Sequence, residues 1–94
     1  MNYELEFREQ AIKEWEKLPE NIRSRFSDIL EKRLITPRIP RHKLSGSSNR
    51  YKIKLQSLGY RLVYEVVDDR FVVVVIAVGE RSKNQVYKAA SSRK

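Results

Sequence analysis

Tyr51-Lys52-Ile53-Lys54-Leu55-Gln56-Ser57-Leu58-Gly59-Tyr60-Arg61 is the stretch on which the reading of the whole chain turns. Tyr51, Ile53 and Leu55 alternate with Lys52 and Lys54, and a period of two marks a strand with one apolar face and one cationic face. A second alternation begins at Tyr60, with Leu62, Tyr64 and Val66 on one side and Arg61, Val63 and Glu65 on the other. Gly59 closes a short connection, so the two runs predict a β-hairpin. A loop of two residues or of four gives the same register: Leu55 opposite Tyr60, Lys54 opposite Arg61, Lys52 opposite Val63. Like charges directly across a strand pair destabilise it, and a local conflict of that kind marks a functional or strained site. The plain alternative is a row of lysines solvating an outer face.

Working outward, Asp68-Asp69 predicts a turn and is a poor candidate for metal binding. The near-continuous β-branched run Phe71 to Val78 predicts a strand covered on both faces, near the centre of a sheet. Ser82-Lys83-Asn84-Gln85 has the pattern of a capping box opening a last helix. Val86, Ala89 and Ala90 give that helix only a thin apolar stripe, so short length and weak docking are expected, with a frayed Ser-Ser-Arg-Lys end. On the other side of the hairpin, Thr36 to Arg50 reads as a surface loop carrying Pro37, Pro40, Gly46, Arg38, Arg41, His42, Lys43 and Arg50. Upstream, Ala11, Ile12, Trp15 and Leu18, then Ile22, Phe26, Ile29 and Leu30, fall at helical spacing. Pro19 separates them, which predicts an αα-hairpin. Tyr3, Leu5 and Phe7 alternate with acidic neighbours and suggest an opening strand. The expected fold is therefore α+β: an antiparallel sheet, an N-terminal αα-hairpin on one face, and a short C-terminal helix.

Ninety-four residues suit one domain spanning 1–94. Twenty Lys and Arg against twelve Asp and Glu leave a net charge of +8, an attractive field for polyanions, nucleic acid first among them. There is no cysteine and only one histidine, which removes disulfides, thiolate metal ligands and histidine pairs; no metal and no cofactor are expected. A lone loop histidine such as His42 is ordinarily solvated. No signal peptide or membrane span is evident, so a cytoplasmic location is expected.

Trp15, Pro37-Arg38, Lys43-Leu44-x-Gly46, Tyr51 to Leu55, Gly59 to Tyr64, Val78-Gly79-x-Arg81 and Val86-Tyr87, taken in order, resemble the RelE messenger-RNA interferase toxins of the RelE/ParE superfamily. The resemblance covers almost the whole chain and implies a RelE-like, microbial-RNase-like fold. It further implies a toxin of a type II toxin–antitoxin system that enters the ribosomal A site and cuts the message there. Its implied partners are messenger RNA, the small ribosomal subunit with its rRNA, and an acidic RelB-like antitoxin. The toxin would be a monomer when free and a toxin–antitoxin hetero-oligomer when bound. The family's catalytic side chains fall on Lys52, Lys54, Arg61, Arg81 and Tyr87, and Arg38, Arg41, Lys43, Arg50 and Lys83 are candidates for RNA or ribosome contact. The chain departs from a relative's arginine at Ser45.

Cleaving RNA requires a base for the 2′-hydroxyl, a charge clamp for the phosphorane and a positive group for the leaving 5′-oxygen. A lysine crowded by cations loses its proton more readily, so Lys54 beside Lys52 and Arg61 can serve as base, with Lys52 and Tyr87 as alternatives. Arg61 and Lys52 suit the non-bridging oxygens, Arg81 the leaving group, and Tyr87 the positioning of a nucleotide. Two other readings stay open: a non-catalytic RNA- or ribosome-binding module, and a ParE-like toxin that inhibits a topoisomerase.

Overall fold

A strand in which every residue from Val72 to Val78 is buried can sit only where both faces are covered, since each such side chain is worth roughly 1.5–3 kcal/mol when removed from water. That strand, β4 (Val72–Glu80), lies inside a four-stranded sheet of order β1-β4-β3-β2. The structure is a computed structural model describing residues 2–80 and 85–93. Its other elements are β1 (Glu4–Phe7), α1 (Glu9–Glu16), α2 (Glu20–Ile35), β2 (Arg50–Leu55), β3 (Tyr60–Val67) and α3 (Gln85–Ser92).

β2, β3 and β4 form the expected antiparallel meander, with Leu55 opposite Tyr60, Lys54 opposite Arg61 and Lys52 opposite Val63. The hairpin connection is a 3₁₀ turn, Gln56–Leu58, closed by Gly59 at φ +74°, a conformation that glycine adopts without strain. The third pairing is parallel rather than antiparallel: β1 runs alongside β4, Glu4 opposite Val72 through Phe7 opposite Val75. β1 is thereby parallel to β2 as well, and α1, α2 and the loop that follows supply the long crossover that parallel strands require. Phe71 also departs from expectation. It is left-handed at φ 52° and 44% exposed, ending the Asp68–Arg70 turn instead of opening β4.

α1 and α2 cover one face, where Ala11, Leu18, Ile22, Phe26 and Leu30 meet Ile53, Leu62, Tyr64 and Val75. Trp15 bridges Phe7 and Phe26 at ring-centroid distances of 5.3 and 6.3 Å, a packing role. On the opposite face Val86 and Ala90 of α3 bury against Val63, Val74, Ile76 and Ala77. The helix is short, as its thin stripe predicts, but it is fastened by more than that stripe. Arg93 donates to both oxygens of Glu14, at 2.8 and 3.1 Å, and to the Ile76 carbonyl at 2.9 Å. Contrary to the expected fraying, Arg93 is held by a pairing between residues 79 positions apart that no local pattern announces. The capping-box residues Ser82 to Asn84 lie outside the described residues.

Candidate active site

The pleat sends residues 50, 52 and 54 of β2 and 61, 63 and 65 of β3 to the face opposite α1 and α2. Across the sheet this gives three rows: Lys54–Arg61–Gly79, Lys52–Val63–Ala77 and Arg50–Glu65–Val74. α3 packs on β4 and β3, so the lysines of β2 lie beyond its flank. Lys54 is exposed, Lys52 is half-buried, and Arg61 is only 9% exposed, donating from Nη1 to the carbonyl of Tyr60 at 3.1 Å. Among the described residues no carboxylate pairs with these three cations. The one carboxylate that β2 and β3 place on this face, Glu65, is bound to Arg50 at 2.8 Å.

The consequence is electrostatic. The Lys54 ammonium is held below the ordinary lysine range, chiefly by Lys52, then by desolvation and by Arg61. Arg61 is a nearly buried guanidinium whose described hydrogen bond goes to a neutral carbonyl, and a buried charge without a counter-ion costs several kcal/mol. An anion arriving between Arg61 and the two lysines relieves both strains at once, and a phosphodiester fits the planar fork of Arg61.

The matched family profile, the ParE toxin of type II toxin–antitoxin systems, covers residues 5–85. A curated relative, the mRNA interferase toxin RelE of Escherichia coli, is 48% identical over 93 residues, 99% of this chain and 98% of that one. This chain belongs to the RelE/ParE toxin family. Among solved structures, a double mutant of the E. coli toxin RelE in the free state matches with a TM-score of 0.89 at 47% identity, covering 97% of this chain and 96% of that one. The toxin in the intact E. coli RelBE toxin–antitoxin complex matches at 0.82 and 48% identity, covering 86% of this chain and 99% of that one.

Of the side chains that the sequence resemblance implies to be catalytic, the fold brings Lys52, Lys54 and Arg61 into one strip. Tyr87, on α3, packs half-buried against the Val63 and Ile76 side of the sheet, and its hydroxyl is buried with no partner among the described residues. Arg81 and Lys83 lie outside the described residues. Arg41 and Lys43 are exposed on and just after the short turn Pro40–His42.

Arg38 and Arg50, the other two candidates for RNA or ribosome contact, also make hydrogen bonds within the fold. Arg38 donates to Ser48 O, Tyr51 Oη, Asn49 Oδ1 and Asp68 Oδ2, between 2.7 and 3.2 Å. Arg50 pairs with Glu65 and donates to the carbonyls of Ala90 and Arg93, where α3 ends, the end of a helix that favours a cation. In each case several of the guanidinium's donors go to the fold.

Sequence reasoning set His42 aside as a solvated loop residue. It is half-buried in a groove with Arg33 and Lys54. The signal that could have flagged it is its place between Arg41 and Lys43, in a loop that must return to β2. Among the described residues no helix is long and apolar enough to cross a membrane, and no three His, Asp or Glu side chains gather where they could hold a metal ion.

Proposed function

We propose that this chain is the toxin of a type II toxin–antitoxin pair and an endoribonuclease that cuts messenger RNA in the ribosomal A site. The observation that carries this reading is the trio Lys52, Lys54 and Arg61 on one strip of sheet, with no carboxylate partner among the described residues, in a chain 48% identical to an mRNA interferase along almost its whole length. Residues 1–94 act as one toxin domain, working in the cytoplasm with the ribosome.

In the reaction, the 2′-oxygen of the nucleotide 5′ of the cut attacks the adjacent phosphorus and the bond to the 5′-oxygen breaks. The products are a 2′,3′-cyclic phosphate and a free 5′-hydroxyl. Lys54, its proton loosened by Lys52, takes the 2′-hydroxyl proton. Lys52 and Arg61 hold the non-bridging oxygens, whose charge rises in the phosphorane. Arg81 neutralises the leaving oxygen, which gains its proton from water, and Tyr87 positions the nucleotide. A site of cations with little acid–base machinery leaves alignment of the message to the ribosome.

Purified protein, programmed ribosomes and mapping of the message's 5′ ends test the reading. Replacing the attacking 2′-hydroxyl with hydrogen should abolish cutting. A normal rate on the deoxy substrate, or equal rates on naked and ribosome-bound RNA, would sink it.

The family profile favours a second reading, since it is the ParE toxin's: inhibition of a topoisomerase. A gyrase supercoiling assay separates the two. A charge-conserving Arg81→Lys separates catalysis, which it should cripple, from simple binding, which it should barely weaken. The ribonuclease reading pairs the +8 chain with an acidic, RelB-like antitoxin, to be sought by co-purification.

A further inference from the structure

Along the free edge of β2, a groove of about 830 Å³ separates that strand from α2, within the roughly 300–1,000 Å³ typical of small-ligand sites. The upper part of the edge is covered where Lys43 bridges to Tyr51; the groove opens below, beside Ile53, Lys54, Gln56 and Ser57. Its far wall is Ile29 and Arg33 of α2, and His42 lines it as well. Among the described residues no carboxylate lines it. The Nε of Arg33 is buried without a partner among the described residues.

His42 differs in character from the cations around it. Its Nε2 lies 3.4 Å from the Nε of Arg41. Burial first, and then Arg33, Arg41, Lys52 and Lys54, hold the imidazole below its usual range, so at neutral pH it is a flat, uncharged ring among positive groups. A ring of that kind stacks on a base, while guanidinium and ammonium groups bind the attached phosphate. Lys54 belongs both to this groove and to the strip with Arg61, so one strand of RNA can pass from one to the other without leaving the protein.

We propose that this groove is a nucleotide subsite for the single-stranded message, receiving the residue next to the scissile phosphate. His42 is its stacking platform, Arg33 its phosphate ligand, and Gln56 and Ser57 contact the base edge. The proposal rests on the ribonuclease reading only for the position of the cut. The occupant is a message nucleotide, not rRNA, because the groove continues from the cleavage strip through Lys54. A subsite that touches a base gives the toxin a sequence preference of its own.

Because His42 is the chain's one histidine, its ring protons report on the groove alone. Nuclear magnetic resonance of the purified protein with a mixed-base 2′-O-methyl trinucleotide, which cannot be cleaved, should move the His42 ring protons upfield, as stacking requires. Inorganic pyrophosphate should raise the His42 titration without that shift. His42→Ala and Arg33→Gln should each weaken the trinucleotide about tenfold, and His42→Phe should restore the binding that alanine loses. A ring that stays put, or that responds identically to pyrophosphate, overturns the proposal. On programmed ribosomes, His42→Ala should redistribute cuts among codons; a uniform loss at every codon would mean rRNA contact and overturn it too. If the unmodified protein cuts nothing, the ribonuclease reading fails, and the resonance experiment still decides the groove.

Discussion

Lys54 faces Arg61 across the hairpin and has Lys52 two residues away on the same face, and this crowding lowers its hold on a proton. If the deprotonated amine is the base, the single-turnover rate rises with pH and levels off at the lowered Lys54 value. Lys52→Gln removes the largest cause of that lowering, so the profile should shift to higher pH; an unmoved profile assigns the base elsewhere. Lys54→Arg keeps the charge and cannot act as base, and should cost about 10²–10⁴-fold in the chemical step with ribosome affinity kept. Arg61 carries the opposite tension, between stability and function. Removing a nearly buried charge that has no counter-ion among the described residues relieves a desolvation penalty. Arg61→Leu should therefore leave Tm unchanged or raised while cleavage falls about 10²–10³-fold. A Tm lowered by several degrees would make Arg61 a structural residue.

At the level of elements, α3 is held by a narrow apolar stripe and two arginine clamps: Arg50 on its last carbonyls, and Arg93 on Glu14 and Ile76. Hydrogen bonds to charged groups contribute about 1.5–3 kcal/mol each when well made, comparable to what the buried Val86 supplies. Arg93→Ala should speed amide exchange throughout Gln85–Ser92 and leave β4 protected. Equal acceleration in β4 would show that α3 opens only with the whole fold.

For the molecule as a whole, Asp68 ties together parts distant in sequence. It accepts from Tyr3 at 2.7 Å, just ahead of β1, and from Arg38 at 2.7 Å in the long loop. The hydrogen bonds from Arg38 and then Tyr3 hold its carboxyl below the ordinary value of 3.8. The stability this contributes is present above pH 3.8, the unfolded value, and is lost as pH falls through the lower folded value. Melting curves from pH 6 to pH 2 should show the parent losing a Tm advantage over Asp68→Asn below about pH 4. Parallel curves would mean that the latch contributes nothing. Tyr64 acts at the other extreme. Burial raises its hydroxyl to about 12, so its share of stability is full below 10 and disappears as pH rises toward 12.

The hairpin register, the αα-hairpin split at Pro19 and the doubly covered β4 were all legible in the chain, because periodicity and turn chemistry act over a few residues. The cationic strip was legible for the same reason: alternation fixes which side chains share a face. The parallel addition of β1, the clamps on α3, the hydrogen bonds of Arg38 and Arg50 within the fold, and the groove of Arg33, His42 and Lys54 were decided only in three dimensions. Each depends on groups brought together from separate elements, and a guanidinium's sequence neighbours do not reveal whether a carboxylate, a helix end or open solvent will meet it.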